Sequence, residues 1–290
     1  MATPETASAP PIAIACGGGK FPEAVIASVL RQGRTVFLFL LEGFADPALE
    51  RYPHVWAKLG SLSKLANAQR EHGFKELVLI GDVIRPRISQ IGFDWRSLLL
   101  LPRAAGIFLG GDDRLLKGAG EIFESYGVKL RGAHEVAPDI LMPEGLLTRT
   151  KPSADEMEDI RFGFRLLHAT GPFDVGQAAV IAKRRAVAIE ASEGTSAMLA
   201  RVADMRANGR LRLGSREGVL VKAPKRNQDR RFDLPAIGLN SIAEAKTAGL
   251  AGIALEAGGS IVTDVEEFAA AANHAGLFVI ALPASETGVP

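Results

Sequence analysis

The sequence predicts an α/β protein of two domains, the first built on a parallel sheet. Short apolar runs at Ile12–Cys16, Thr35–Leu41 and Glu76–Ile80 alternate with stretches of helical spacing at Glu23–Gln32 and Leu62–His72. Strands and helices alternating through short turns give a parallel sheet covered on both faces. At 290 residues and 47% hydrophobic content, the chain is long enough for two ordinary domains with cores of their own. Pro138, Pro143 and Pro152 punctuate a stretch of little periodicity, which is where a connection belongs. The expected division is a disordered tail over 1–11, an N-terminal domain over 12–132, a Pro-containing linker over 133–152 and a C-terminal α/β domain over 153–290.

Composition removes several function classes. The formal net charge is +1 and the basic residues are scattered, which gives no case for nucleic-acid binding. A single cysteine, Cys16, allows no internal disulfide and fits a reducing, cytoplasmic setting. Residues 1–11 lack the charged start and apolar run of a signal peptide. The longest apolar stretches, Thr35–Leu41 and Leu98–Leu101, fall far short of the ~20 residues that span a bilayer. Any membrane contact is therefore expected to be peripheral.

In chain order, Ile12–Cys16 runs into Gly17-Gly18-Gly19 and Lys20-Phe21-Pro22 before the first helix. A strand, a glycine turn and a helix make a Rossmann-like opening, in which glycines let backbone N–H groups approach a phosphate. The plain alternative is a tight turn needed only for chain reversal. Glu42 ends the second strand where a dinucleotide-binding fold places an acid for a ribose, but Pro22 stands at the third glycine position of that pattern. Leu98–Ala105 and Leu115–Tyr126 read as helical and Val128–Leu130 as strand. Between the two helices lies a polar knot, Gly110–Arg114, whose Asp113 either caps a helix or touches a ligand. Ser153 and Glu156 form a capping box for a helix to about His168. Gln177–Ala182 and Ala186–Glu190 flank Lys183-Arg184-Arg185 as a hairpin, and a helix covers Ser196–Asn208. Asn240 or Ser241 caps Ile242–Ala248, Gly252–Ala257 is a strand, Asp264 caps Val265–His274, and Leu277–Leu282 is the last strand.

The densest chemistry lies in Val219–Gly238, VLVKAPKRNQDRRFDLPAIG. An apolar strand leads into Lys222, Lys225, Arg226, Arg230 and Arg231, with Asp229 and Asp233 four residues apart among them. Cations suit phosphate oxygens and carboxylates suit a hard metal ion, and the ends of strands are where α/β proteins place ligands. The alternative is a solvated charged loop. Glu190 and Glu193 close another strand, and four carboxylates would converge on one rim if the two strands were neighbours. Oxygen-only ligands suit magnesium or manganese. Each pair has an innocent role as well, Glu193 at a helix N-terminus and Asp233 paired with Arg230 or Arg231. Other chemistries have little support. Cys16 lies within an apolar strand, and His54, His72, His134, His168 and His274 are isolated in sequence. No zinc spacing occurs, and Gly19-Lys20 is not followed by the Ser or Thr of a P-loop.

Four segments, IAIACGGGKFP, GDDRLL, AIEASEGTSAML and above all VLVKAPKRNQDRRFDLPAIG, resemble the UDP-2,3-diacylglucosamine pyrophosphatase family of lipid A biosynthesis, of the type unrelated to calcineurin-like phosphoesterases. The resemblance spans nearly the whole chain from about residue 12. It implies two domains with the substrate held between them. It also implies metal-assisted hydrolysis of a UDP-linked diacylated glucosamine to lipid X and UMP, with water attacking the phosphorus nearer the sugar. By motif, Asp233 is the first choice for the essential acid, with Asp229 beside it at the water and metal. Glu190 and Glu193 are further metal candidates, for magnesium or manganese. Substrate contacts fall on Gly17, Gly18, Gly19, Lys20, Asp112, Gln177, Lys183, Thr195, Lys222, Lys225 and Gln228. Leu98–Leu101, Phe162 or Phe164 would line an acyl groove. Peripheral contact with the cytoplasmic face of the inner membrane and a homodimer complete the expectations. Two readings of other classes stay open, a nucleotide-sugar or dinucleotide binder without hydrolysis and a nicotinamide oxidoreductase. Neither accounts for the charged knot Gln228–Asp233.

Overall fold

The computed structural model describes residues 10–83, 123–173, 175–225, 229–231 and 234–287. The chain forms two units, Met1–Pro138 with Asp229–Phe232, and Asp139–Gln228 with Asp233–Pro290.

The N-terminal unit holds a five-stranded sheet of β1 (Ile12–Cys16), β2 (Val36–Leu41), β3 (His54–Ala57), β4 (Glu76–Ile80) and β5 (Lys129–Arg131). The order is β3-β2-β1-β4-β5, and every pairing is parallel. Its helices include α1 (Phe21–Arg31), α2 (Leu62–His72) and the single turn α3 (Ala133–Val136). Alternate residues serve opposite faces of the sheet. Phe37, Phe39, Leu77 and Leu130 pack with Leu65 of α2 and Phe74. Ile12, Ile14, Leu38 and Leu40 are fully buried between them in sequence, as are Val25, Ile26 and Val29 of α1. Burial on both faces explains why VFLFLL is apolar throughout. Strand order reverses between β1 and β4, so the carboxyl ends of those two strands flank a topological switch point.

The C-terminal unit is mixed. Its six-stranded sheet has the order β6-β13-β11-β9-β7-β8, from β6 (Gly145–Leu146), β7 (Ala178–Ala182), β8 (Arg185–Ile189), β9 (Val219–Lys222), β11 (Gly252–Glu256) and β13 (Phe278–Leu282). Strands β9, β11 and β13 are parallel, while β7 runs antiparallel to both β9 and β8. A two-stranded parallel pair joins β10 (Ala236–Ile237) to β12 (Ile261–Val262). On one face lies α4 (Ala154–Thr170), with Ile160, Phe164 and Leu167 packed among Ala179, Ile181, Val221 and Phe278. A β-carbon on Gly163 would lie 2.6 Å from a Val221 methyl, so only glycine lets α4 sit this close. The other face takes α5 (Gly194–Ala207), α6 (Leu239–Thr247) and α7 (Val265–Ala275), whose Met198, Ile242 and Phe268 share a core with Leu220, Ile253 and Val279.

Most expected elements are present, with informative departures. The Ser153–Glu156 capping box forms in both directions, and Asp264 accepts from Glu267 N at 2.8 Å. Neither Asn240 nor Ser241 caps α6, which begins at Leu239 after an uncapped Gly238. Strands β3, β6, β10 and β12 were not expected; they have four residues or fewer and carry no usable period. The stretch 133–152 is not plain connection, for it contains α3, a 3-10 turn at Pro138–Ile140 and β6. The hairpin turns on two residues, Lys183 and Arg184, both with φ +56°. Neither residue favours that conformation, and the buried Asp159 of α4 accepts from both of their backbone N–H groups. Phe164 is fully buried in the core and cannot line an acyl groove. Leu98–Leu101 and the expected helix over 98–105 lie outside the described residues.

One polar cluster ties Glu76, which opens β4, to Arg131, which closes β5. Glu76 takes Arg34 on one oxygen and Arg131 on the other at 2.7 Å, and Arg131 also reaches Glu135 at 3.0 Å. Burial works to raise the Glu76 carboxyl, but the two guanidinium groups outweigh it, so its pKa lies below the ordinary value. A depressed folded pKa contributes stability that is present above the unfolded value and lost as pH falls through the folded one. Glu76→Gln should therefore destabilise the protein by about 1 kcal/mol at pH 7. The difference should shrink as pH falls below the ordinary glutamate value and disappear only once pH has passed below the depressed folded one. Urea unfolding of both proteins between pH 7 and 3 measures this; a difference of constant size would show that charge is not its source.

Candidate active site

In the N-terminal unit the glycine turn sits at the switch point and is locked by backbone contacts. Gly17 N donates to Ile80 O at 2.8 Å, Gly18 N donates to Asp82 O at 2.9 Å, and Asp82 N returns a bond to Gly18 O at 2.9 Å. A β-carbon on Gly17 would meet Asp82 O at 2.8 Å, and one on Gly81 would meet Gly18 O at 2.6 Å. These glycines are required because two loop backbones touch. The expected presentation of their N–H groups to a phosphate does not hold for Gly17 and Gly18, whose donors are spent on Ile80 and Asp82. Gly19, at φ +83°, carries the chain past the Asp82 carboxylate to the exposed Lys20, which stands at the N-cap of α1. Asp82 thus belongs to this turn, and sequence reading passed over it as a strand end. Beneath lies Cys16, fully buried, its thiol pushed up to about 12 by burial. It is a core residue with no nucleophilic role.

Asp229–Phe232 also belong to this unit. The Asp229 carboxylate is gripped by Arg231, which donates from Nη2 at 2.8 Å, from Nε and from its backbone N. Arg231 in turn lies 3.8 Å from Glu124. His134 of α3 packs over Gly132, where a β-carbon would come within 2.4 Å of its ring. Burial holds the His134 imidazole below its ordinary pKa; Glu135 opposes this, while Arg230 and Arg131 push the same way as burial. Remote in sequence, His134 and the Asp229–Arg231 segment are brought into one electrostatic neighbourhood by the fold, and no spacing pattern could have signalled it.

In the C-terminal unit one rim of the sheet gathers several predicted residues. Strands β8 and β9 are not neighbours, because β7 lies between them. Both run antiparallel to β7, so their carboxyl ends meet the amino end of β7 on the same edge. Lys222 closes β9, Gln177 precedes β7, Glu190 follows β8, and Thr195 lies in the first turn of α5. Lys222 Nζ donates to Thr195 Oγ1 at 3.2 Å and to Ala236 O at 2.9 Å. Thr195 Oγ1 donates to Glu190 Oε1 at 2.9 Å, and Gln177 N donates to Glu190 Oε2 at 2.9 Å. Lys222 is only 6% exposed, so its ammonium is held in the rim itself. Lys225 lies just beyond, half-buried. Sequence reading did not single out Glu256, which ends β11 next to β9. It is buried with His168, Oε2 to Nε2 3.9 Å.

Lys183, in the expected hairpin, lies away from this rim. It occupies the β7–β8 turn, at the edge opposite Gln177, where it pairs with Glu217 at 3.1 Å. Glu193 takes the N-cap position of α5, accepts from Ala191 N and pairs with Arg201 at 2.8 Å. Glu190, Glu193 and Asp229 are each engaged by protein donors. Among the described residues no group of three or more His, Cys, Asp or Glu is arranged to hold an ion. Asp112, Gln228 and Asp233 lie outside the described residues.

Comparison with known proteins covers both units. A family model described as the LpxI N-terminal domain matches residues 11–140, and one described as the LpxI C-terminal domain matches residues 143–280. The UDP-2,3-diacylglucosamine pyrophosphatase LpxI of Caulobacter vibrioides is 39% identical over 275 residues, covering 95% of this chain and 98% of that protein.

Proposed function

This chain belongs to the LpxI family, and on that premise we propose that it hydrolyses the pyrophosphate bond of UDP-2,3-diacylglucosamine in lipid A biosynthesis. The carrying observation is the 39% identity to a pyrophosphatase of that name over 95% of the chain. Water adds its oxygen to the phosphorus nearer the glucosamine, the bond from that phosphorus to the bridging oxygen breaks, and UMP leaves with the bridging oxygen. The products are 2,3-diacylglucosamine 1-phosphate and UMP, with the two protons of water shared between the new phosphate and solvent.

The chain's own groups supply the electrostatics of this proposal. Negative charge grows on the leaving phosphate as the anhydride bond breaks, and fixed cations stabilise that growth. Lys222 and Lys225, at the end of β9, are assigned to the phosphates. Thr195 does not donate to phosphate in this reading, since its proton is directed at Glu190. Asp233 is assigned to the attacking water, as the acid of the motif. Asp229 is assigned to holding Arg231 and the loop around it.

A divalent cation, magnesium or manganese, stays in the proposal on the strength of the family motif and Asp233. The described carboxylates Glu190, Glu193 and Asp229 are given to protein donors in this reading, and Asp233 is the residue that would hold the ion.

Three outcomes test the reading. Asp233→Ala should reduce UMP release from UDP-2,3-diacylglucosamine by roughly 10²–10⁴-fold with an unchanged circular dichroism spectrum, and Asp229→Ala should cost less; near-normal turnover in Asp233→Ala removes it from the mechanism. Chelator should silence the enzyme, with activity returning on addition of magnesium or manganese; full turnover in excess chelator would remove the cation. The substrate is a lipid, and among the described residues no helix is long and apolar enough to cross a membrane. Attachment to the cytoplasmic face should be peripheral and released by carbonate; carbonate-resistant association would contradict it.

A further inference from the structure

We propose that Glu190 is a positioning residue that acts through the Thr195 hydroxyl on the Lys222 ammonium, and that it is not a cation ligand. The inference rests on the hydrolytic reading above, in which Lys222 faces substrate phosphate.

Hydrogen-bond chemistry fixes the direction of the chain of contacts. An ammonium has only protons to give, so at the 3.2 Å contact Lys222 donates and Thr195 Oγ1 accepts. The hydroxyl has one proton, and an ionised carboxylate can only accept, so that proton goes to Glu190 Oε1 at 2.9 Å. The remaining oxygen, Oε2, takes the backbone N–H of Gln177 at 2.9 Å. Both carboxylate oxygens are therefore directed at protein donors.

The backbone around Glu190 is equally committed. Glu190 N donates to Ala178 O at 2.9 Å, and Gly176 N donates to Glu190 O at 3.0 Å. A β-carbon on Gly176 would lie 2.5 Å from Glu190 Cγ, so glycine there makes room for the side chain to fold back onto its own rim. Gln177 O accepts from Ala223 N at 3.0 Å, which ties the same unit to the residue after Lys222. The carboxylate is thus held by β7 and β8, and it holds a hydroxyl from α5 against the end of β9.

The interposed hydroxyl matters physically. A carboxylate in direct contact with the ammonium would offset its charge and weaken its pull on a phosphate. Placed one hydroxyl away, Glu190 offsets part of the cost of burying the charge through Thr195, with one N–H aimed by Thr195 and another by Ala236 O. Misplacement of a catalytic group by an ångström is costly to rate, so the expected signature is a loss in kcat larger than any change in KM.

The test uses the full chain and three variants. Thr195→Val removes the hydroxyl with little change of shape, Thr195→Ser keeps it, and Glu190→Gln leaves one of the two acceptor roles unfilled. Hydrolysis of UDP-2,3-diacylglucosamine should fall about tenfold to a hundredfold in kcat for Thr195→Val, with Thr195→Ser restoring most of it and Glu190→Gln lying between them. The magnesium concentration giving half-maximal activation should be the same in Glu190→Gln as in wild type; a rise of about tenfold is the mark of a lost ligand and would overturn the proposal. A second readout needs no turnover. In protein labelled with 15N-lysine, the Lys222 ammonium resonance, identified by its loss in Lys222→Arg, should shift or broaden in Thr195→Val and Glu190→Gln and persist in Thr195→Ser. An unchanged resonance in the first two variants would overturn the relay even with activity impaired. A wild-type protein inert toward the UDP-lipid would instead defeat the hydrolytic reading, and the lysine spectra would then still decide the relay.

Discussion

A lysine ammonium closed into the rim of a sheet is the constraint around which the C-terminal unit is arranged. Leaving such a charge without hydrogen-bond partners would cost several kcal/mol, so acceptors must be delivered to it from elsewhere in the chain. The acceptors of Lys222 include Thr195 at the start of α5 and the carbonyl of Ala236 at β10. The place of β7 in the sheet meets that requirement. With β7 inserted antiparallel between β8 and β9, the chain leaves β8 on the same edge that β9 reaches. Glu190 and the first turn of α5 then arrive beside Lys222 without a long connection.

The N-terminal unit solves a different problem at its own switch point. Two loops, one after β1 and one after β4, come close enough for reciprocal backbone hydrogen bonds between Gly18 and Asp82. Such proximity excludes β-carbons at Gly17 and Gly81. The run of glycines therefore serves the sheet first, and whatever it offers a ligand is limited to what lies beyond Gly18. Charge is placed elsewhere in this unit. Glu76, at the start of β4, clamps Arg34 and Arg131, and Arg231 clamps Asp229.

Much of this architecture was legible in the amino-acid order. Strands buried on both faces, such as Val36–Leu41, announce themselves by continuous apolar character. Helix starts with a side-chain cap, Ser153 and Asp264, were readable because the cap bonds are local. Where no local chemistry marks an element, the reading failed. The helix starting at Leu239 has no side-chain cap, and β3, β6, β10 and β12 exist because a longer strand or a partner bridge stands beside them.

For the candidate site the division is sharper. Residue types alone determined which groups could do phosphate chemistry, because lysine, glutamate and threonine have the same donors and acceptors in any fold. The order of those residues also placed Lys222, Glu190 and Gln177 at strand ends, since each borders an apolar run. Which of them meet was decided only by tertiary structure. Gln177 and Lys183, both polar, flank the two ends of the same strand β7 and so end on opposite edges of the sheet. Only the one beside the carboxyl end of β9 can join Lys222. Whether a carboxylate is free for a metal or already spent on neighbouring donors was likewise beyond sequence, because it depends on where Thr195 and the Gln177 N–H come to rest around Glu190.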